Sequence, residues 1–83
     1  MNENYLEIFN VRPERPVPVF VDTFSDWEQG ARRAAREPFC EVVVYDDVNT
    51  DGIVVYSDDP DVHSGGWWHA AIRAERLRLG LTR

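Results

Sequence analysis

Two short runs of β-branched and aromatic residues, joined by a segment of turn-forming residues, constrain the fold of this chain more than any other feature. The runs are Phe39–Tyr45 (FCEVVVY) and Ile53–Ser57 (IVVYS). β-Branched and aromatic side chains favour strands, whereas the Asp, Asn, Thr and Gly residues between the runs favour turns. The pattern therefore predicts an antiparallel β-hairpin with its tip in DVNTDG.

The alternation of side chains along these strands predicts which residues face outward. Val42 and Val44 fall on the face that we expect the helices to cover. The opposite face carries apolar and aromatic residues of both strands: Val43, Tyr45, Val54 and Tyr56. Because tyrosine supplies a large contact area, we interpret this outward face as a protein-binding surface. The alternative is that the N-terminal segment or a dimer mate covers it.

The segment TFSDWEQGARRAARE, which precedes the hairpin, predicts the first helix. Ser25 and Glu28 have the spacing of a capping box, and Pro38 ends the helical pattern. Trp27 falls on an apolar stripe with several alanines, so we expect it to pack in the core. The small residues here, including Gly30, would let the helix lie close to a sheet.

A second helix is predicted from about Trp67 to Leu79, with Gly80 as its C-terminal stop. Apolar residues recur at helical spacing, and we expect this stripe to face the core: Trp67, Ala70, Ala71, Ala74, Leu77 and Leu81. Trp68, Ile72 and Leu79 widen the stripe. Because tryptophan is enriched at interaction hot spots, Trp68 is a candidate contact residue.

The first 18 residues are predicted to be partly extended or linker-like, because Pro13, Pro16 and Pro18 lack a backbone N–H donor. Residues 4–11 favour a strand, with a single helical turn as the alternative. Residues 17–22 are predicted to form a strand near a sheet edge. The order is then (β)-β-α-β-β-α. We therefore expect residues 1–83 to form a single α+β domain, with a small antiparallel sheet and two helices packed on one face.

The negative charge of the chain is concentrated in its middle. The net charge is −6, and no basic residue lies between Arg36 and Arg73. Because binding to a phosphate backbone needs a basic footprint, we do not expect direct contact with nucleic acid. Six carboxylates of this interval are expected to form one acidic zone on the rim of the sheet, where a partner would touch: Asp46, Asp47, Asp51, Asp58, Asp59 and Asp61.

The segment DVNTDGI has some features of a calcium-binding loop. Asp47, Asn49 and Asp51 supply oxygen atoms at alternate positions, and Gly52 stands where an EF-hand loop bends. An EF-hand loop is flanked by helices, however, whereas this segment is flanked by predicted strands. We interpret it as a hairpin turn without a metal.

The segment DDPDVHSGGWWH contains residue types that bind zinc or manganese. The candidate ligands are Asp59, Asp61, His63 and His69, with Glu75 as a base. Their spacing matches no established site, so we predict no metal, no cofactor and no catalytic residue. The single cysteine, Cys40, opens an apolar run and is expected to be a buried, inert thiol.

These features favour a small acidic, non-enzymatic binding protein. By analogy of size, charge and fold class, we interpret it as an anti-CRISPR-like inhibitor, from a phage or mobile element, of a host nucleic-acid-handling defence complex. Its expected partner is a host or cognate protein with a basic surface, contacted through the acidic zone together with Tyr45, Tyr56 and Trp68. The alternatives are an immunity protein of a nuclease toxin, a homodimeric accessory domain, and a small metal-binding protein or enzyme.

The expected location is the cytoplasm. A lone cysteine permits no intrachain disulfide, which fits a reducing compartment. The sequence shows no signal-peptide pattern and no apolar run long enough to span a bilayer, so no membrane association is expected.

Overall fold

The computed structural model describes residues 4–62, 64 and 66–81. Its elements are β1 (Tyr5–Asn10), β2 (Val19–Phe24), α1 (Trp27–Ala35), β3 (Cys40–Tyr45), β4 (Ile53–Ser57) and α2 (Gly66–Arg78). The predicted α+β class and element order are confirmed. Neither helix in the described part of the chain has the length and apolar character needed to cross a membrane.

The four strands form one antiparallel sheet in the order β2-β1-β3-β4. β1 lies in the middle, with β2 on one side and β3 on the other. The N-terminal segment, for which the sequence left a strand and a helical turn open, is therefore a central strand. Because β1 is paired along both edges, this segment does not cover the outward face of the sheet. β2 is an edge strand, which suits the prolines that precede it.

The core lies between one face of the sheet and the two helices. Its buried apolar residues are Leu6, Ile8, Ala31, Ala34, Ala35, Cys40, Val42, Val44, Tyr56, Trp68 and Ile72. α1 passes close to β1 at Gly30, where a Cβ atom would lie only 2.5 Å from Cδ2 of Leu6. A side chain at this position would crowd buried Leu6, so either the leucine or the helix would have to shift.

The N-terminus of α1 is capped by a different residue from the one predicted. The side chain of Asp26 accepts hydrogen bonds from the backbone N–H groups of Glu28 (2.8 Å) and Gln29 (3.2 Å). The prediction of Ser25 as the cap is therefore wrong. A carboxylate satisfies the free N–H groups as well as a hydroxyl does, and its charge also suits the positive end of the helix dipole.

α2 turns a different face to the core from the one that its apolar spacing predicts. Trp68 and Ile72 are buried, whereas Trp67, Leu77 and Leu81 are 51%, 60% and 51% exposed. The predicted core stripe is thus wrong for these three residues, and the buried side of the helix is formed by Trp68 and Ile72, which were expected only to widen the stripe. This helix carries apolar residues on more than one side, so periodicity could not select the buried side. In the fold, the Trp68 ring packs 6.1 Å, centroid to centroid, from the ring of Trp27.

A β-bulge in the hairpin overturns the predicted position of Tyr56. Val42 pairs with Tyr56 and Val43 pairs with Val54, so one extra residue of β4 lies between the two pairs. Tyr56 consequently faces the helices and is only 7% exposed. Strict alternation put Tyr56 and Val54 on the same outward face; a bulge breaks alternation because it adds a residue to one strand only.

Candidate functional site

The sheet face opposite the helices carries a nearly continuous set of aromatic and apolar side chains. Tyr5 and Tyr45 stack at one end, with ring centroids 4.8 Å apart and an angle of 12° between the ring planes. Phe9 and Phe20 meet edge to face at the other end, 6.0 Å apart. We call this surface the aromatic face; its members are Tyr5, Phe9, Phe20, Val43, Tyr45 and Val54.

Acidic side chains accompany the aromatic face. Glu7 lies opposite Val43 in the register, and Glu41 lies opposite Phe9. None of the four strands, all within the described residues, contains arginine or lysine. Burial raises the pKa of Glu41, and the charge of Asp59 adds to the rise. Interaction with the Glu7 carboxylate raises the pKa of Tyr45. The strands thus place negative charge on this face and contribute no cation to it.

The six acidic residues predicted to form one zone lie in two separate groups. One group is at the hairpin tip: Asp46, Asp47 and Asp51. The other follows the end of β4: Asp58, Asp59 and Asp61. Asp58 donates its backbone N–H to the carbonyl of Cys40, the first residue of β3, whereas Asp46 follows the last residue. The groups are therefore about 20 Å apart along the strands, and the single zone is a wrong prediction.

Asp46 stabilises the hairpin turn. Its carboxylate accepts hydrogen bonds from the backbone N–H groups of Val48 (2.9 Å) and Asn49 (2.6 Å), and from the Asn49 side chain. These hydrogen bonds lower the pKa of Asp46. Gly52 completes the turn with a φ of +87°, a region that suits glycine. The segment is thus a hairpin turn, as predicted, and Asp47 is exposed within it.

Asp58 is the centre of a largely buried polar network that joins the helices to the sheet. Its carboxylate holds the Arg76 guanidinium of α2 by two contacts, of 2.7 and 2.9 Å. The Tyr56 hydroxyl donates to the same carboxylate at 2.7 Å, and the backbone N–H of Cys40 donates at 2.8 Å. Asp58 and Tyr56, both predicted to contact a partner, thus contact each other and Arg76 within the chain.

Arg76 also closes the C-terminal end of α1. Its Nε donates to the carbonyl of Ala35 at 3.0 Å, and its Nη2 donates to the carbonyl of Glu37 at 3.0 Å. Its Nη1 lies 3.2 Å from the Tyr56 hydroxyl. With the two contacts to Asp58, all five N–H donors of the guanidinium have a partner. The last carbonyl groups of a helix receive no hydrogen bond from within the helix. Arg76 supplies the N–H donors that the C-terminal end of α1 lacks.

The pKa values in this network follow from its burial and its hydrogen bonds. Burial opposes the ionisation of Asp58, but hydrogen bonds from Arg76 and Tyr56 outweigh it and hold the pKa of this carboxyl below its ordinary value. Burial raises the pKa of the Cys40 thiol and of the Tyr56 phenol. A protonated, buried thiol is a poor nucleophile. Cys40 is buried, as predicted.

Two of the residues considered for a metal site, Asp59 and Glu75, have other partners. Asp59 accepts the backbone N–H of Asp61 at 2.9 Å, and Glu75 is held by Arg78. His63 lies outside the described residues. Among residues 4–62, 64 and 66–81, no three His, Cys, Asp or Glu side chains are placed to hold a metal ion together.

A groove that sequence reasoning missed lies between α2 and the connection from α1 to β3. Its volume is about 660 Å³. We call it the α2 groove; the residues that line its walls and rim include Arg36, Pro38, Phe39, His69, Arg73, Leu77 and Leu81. The spacing of His69, Arg73, Leu77 and Leu81 indicates one helical face, but the predicted stripe had already assigned the leucines to the core. The groove could be found only once the rotation of α2 was known.

Comparison of the chain with protein-family models, with curated protein sequences and with solved structures finds no match.

Proposed function

We propose that this protein is a non-enzymatic binding protein whose aromatic face engages a basic surface of another protein. One observation carries the proposal: the sheet face opposite the two helices combines stacked tyrosines with carboxylates and contains no basic residue in its strands. Tyrosine contributes a large, rigid contact area, and complementary charge speeds the encounter with a basic partner. The exposed Asp47 and Asp51 extend this surface beyond Tyr45 at the hairpin tip.

A basic partner suits this face better than a second copy of the chain. In a twofold symmetric dimer, each contact is made by the same surface on both copies. Such a dimer would bring the Glu7 and Glu41 carboxylates of both copies into one apolar interface. Like charges that face each other across an interface oppose binding strongly. A cationic surface would neutralise the same carboxylates.

Surfaces with a concentration of basic residues are typical of proteins that handle nucleic acid. The proposed mechanism is therefore occlusion, in which the aromatic face occupies a groove that otherwise binds a phosphate backbone. An anti-CRISPR-like inhibitor of a host defence complex is the function that we propose on this basis. We expect it to act in the cytoplasm, where such complexes meet foreign nucleic acid.

The test begins with capture of the partner from host lysate and its identification by mass spectrometry. The partner is then offered a labelled DNA duplex with and without this protein. Occlusion predicts that the protein releases the duplex and that the release weakens as salt concentration rises. Simultaneous binding of the duplex and the protein would refute occlusion.

Matched variants assign the effect to the proposed surface. The double variant Asp47→Asn/Asp51→Asn removes two exposed charges beside Tyr45, and Glu14→Gln/Glu28→Gln removes two exposed charges elsewhere. Charges at the rim of an interface act mainly on the association rate and its salt dependence. We expect slower association for the first variant only. Equal effects of both variants would mean that net charge, and not this surface, determines binding. Asp46 and Asp58 must be left intact, because they hold the hairpin turn and the Arg76 network.

A further inference from the structure

The two layers of the fold carry opposite charge. The four strands contain three acidic residues and no basic one, and the two helices contain five arginines and two glutamates. The strands therefore have a formal charge of −3 and the helices of +3. A surface on the helix layer would therefore favour an acidic partner, whereas the aromatic face suits a basic one.

The α2 groove is the concave part of that helix layer. Tyr56, Asp58 and Arg76 line its base, and the hydrogen bonds among them leave every N–H of Arg76 occupied. Phe39 forms part of the wall with a φ of 57°, a conformation that bulky side chains rarely adopt. The guanidinium of Arg12 lies 5.3 Å from the centre of the Phe39 ring, on which it stacks. The base of the groove is thus fixed before any partner arrives.

The far wall of the groove leaves apolar side chains in contact with water. Leu77 and Leu81 line it and are 60% and 51% exposed. His69 and Leu77 are eight residues apart, so this wall is about 12 Å long within the helix alone, and Leu81 extends it. The wall is long enough for several residues of a peptide, and covering the leucines would favour binding by removing apolar area from water.

The rim of the groove carries positive charges that are free to bind a partner. Arg36 and Arg73 are exposed, and neither forms an ion pair with any residue of the described chain. The Glu75 carboxylate, whose pKa the charge of Arg36 helps to lower, is already held by Arg78 through two hydrogen bonds. The two acidic groove residues, Glu37 and Asp58, also have arginine partners. An occupant with carboxylates would therefore complete this site.

We infer that the α2 groove binds an acidic amphipathic peptide segment of a second partner protein. Carboxylates of the segment would lie at Arg36 and Arg73, and its apolar side chains would cover Leu77 and Leu81. The inference is independent of the proposed function, because the groove and the aromatic face lie on opposite layers. Together the two surfaces would let the protein hold a basic and an acidic partner at once.

Fluorescence anisotropy with a designed probe tests this inference. The probe is a labelled peptide of about 12 residues, which spans about 18 Å as a helix, with leucine and glutamate on opposite faces. A second peptide has glutamine in place of every glutamate. We expect the acidic peptide to bind at least about tenfold more tightly, the effect of roughly one charge-assisted hydrogen bond. Equal binding of both peptides, or no binding of the acidic one, would overturn the inference.

Two arginine variants localise the binding. Arg73→Gln removes a groove charge, and Arg32→Gln removes an exposed α1 charge whose only described pair is with Glu28 at 3.8 Å. We expect Arg73→Gln to weaken the peptide about tenfold and Arg32→Gln to leave it unchanged. Equal losses would show attraction by overall charge and refute the site. The Asp47→Asn/Asp51→Asn variant should still bind the peptide, so failure here is distinguishable from failure of the aromatic face.

Discussion

Replacing Arg76 with alanine should destabilise this protein more than the removal of any other arginine side chain of the two helices. The change leaves the Asp58 carboxylate without its cation and the carbonyls of Ala35 and Glu37 without their donor. The two side chains of the ion pair are only 19% and 18% exposed. Breaking a buried ion pair by removal of one partner costs about 3–5 kcal/mol. Because water can reach part of this pair, we expect a loss of about 3 kcal/mol.

That loss is large for a chain of 83 residues, since the free energy of unfolding of such a domain is about 4–12 kcal/mol. Urea denaturation followed by circular dichroism measures it. Arg76→Lys keeps the charge but has three donors in place of five, so its stability should lie between those of the wild type and the alanine variant. Arg32→Ala is the control, because both side chains of its pair with Glu28 are exposed and the pair should contribute little. If Arg76→Ala and Arg32→Ala shift the midpoint equally, the network does not stabilise the fold as argued.

Two further predictions follow from the packing and from the ionisation of Asp58. Gly30→Ala should destabilise the protein by about 1 kcal/mol, because crowding against buried Leu6 outweighs the gain in helix propensity. Gly66 has open space around it, so Gly66→Ala should be neutral or stabilising. Thermal unfolding measures both variants, and a lower stability for Gly66→Ala than for Gly30→Ala would contradict the close approach of α1. Because the folded-state pKa of Asp58 is lowered, its contribution is present above its ordinary pKa, about 4, and is lost as pH falls through the folded value. Urea midpoints between about pH 6 and pH 2 should therefore fall more steeply for the wild type than for Asp58→Asn; parallel curves would contradict this assignment.

The order of elements was predictable because each element depends on residues close together in the chain. β-Branched runs form β3 and β4, and the Asp, Asn and Gly residues between them form the turn. The close approach at Gly30 was also foreseeable, since a helix with several small residues on one side can pack tightly on a sheet. The cap was misassigned by one residue, because Ser25 and Asp26 are both good capping residues.

The candidate sites depended on relations that no local pattern contains. One bulge residue in β4 moved Tyr56 from the outward face to the core, and the packing of α2 against α1 buried Trp68 instead of Trp67. The pairing of β3 with β4 put the carboxylates that precede and follow β4 at opposite ends of the sheet. The partner of Asp58 is 18 residues away in sequence, on α2.

The sequence by itself determined which segments become strands, turns and helices, because local propensity and turn chemistry act over a few residues. Only the tertiary structure decided which of two apolar sides of α2 is buried, which acidic residues are held by internal partners, and which remain exposed. The physical reason is that burial and ion pairing are settled between segments distant in the chain, where one residue of register or a rotation of a helix exchanges core for surface. The aromatic face and the α2 groove are both products of those choices.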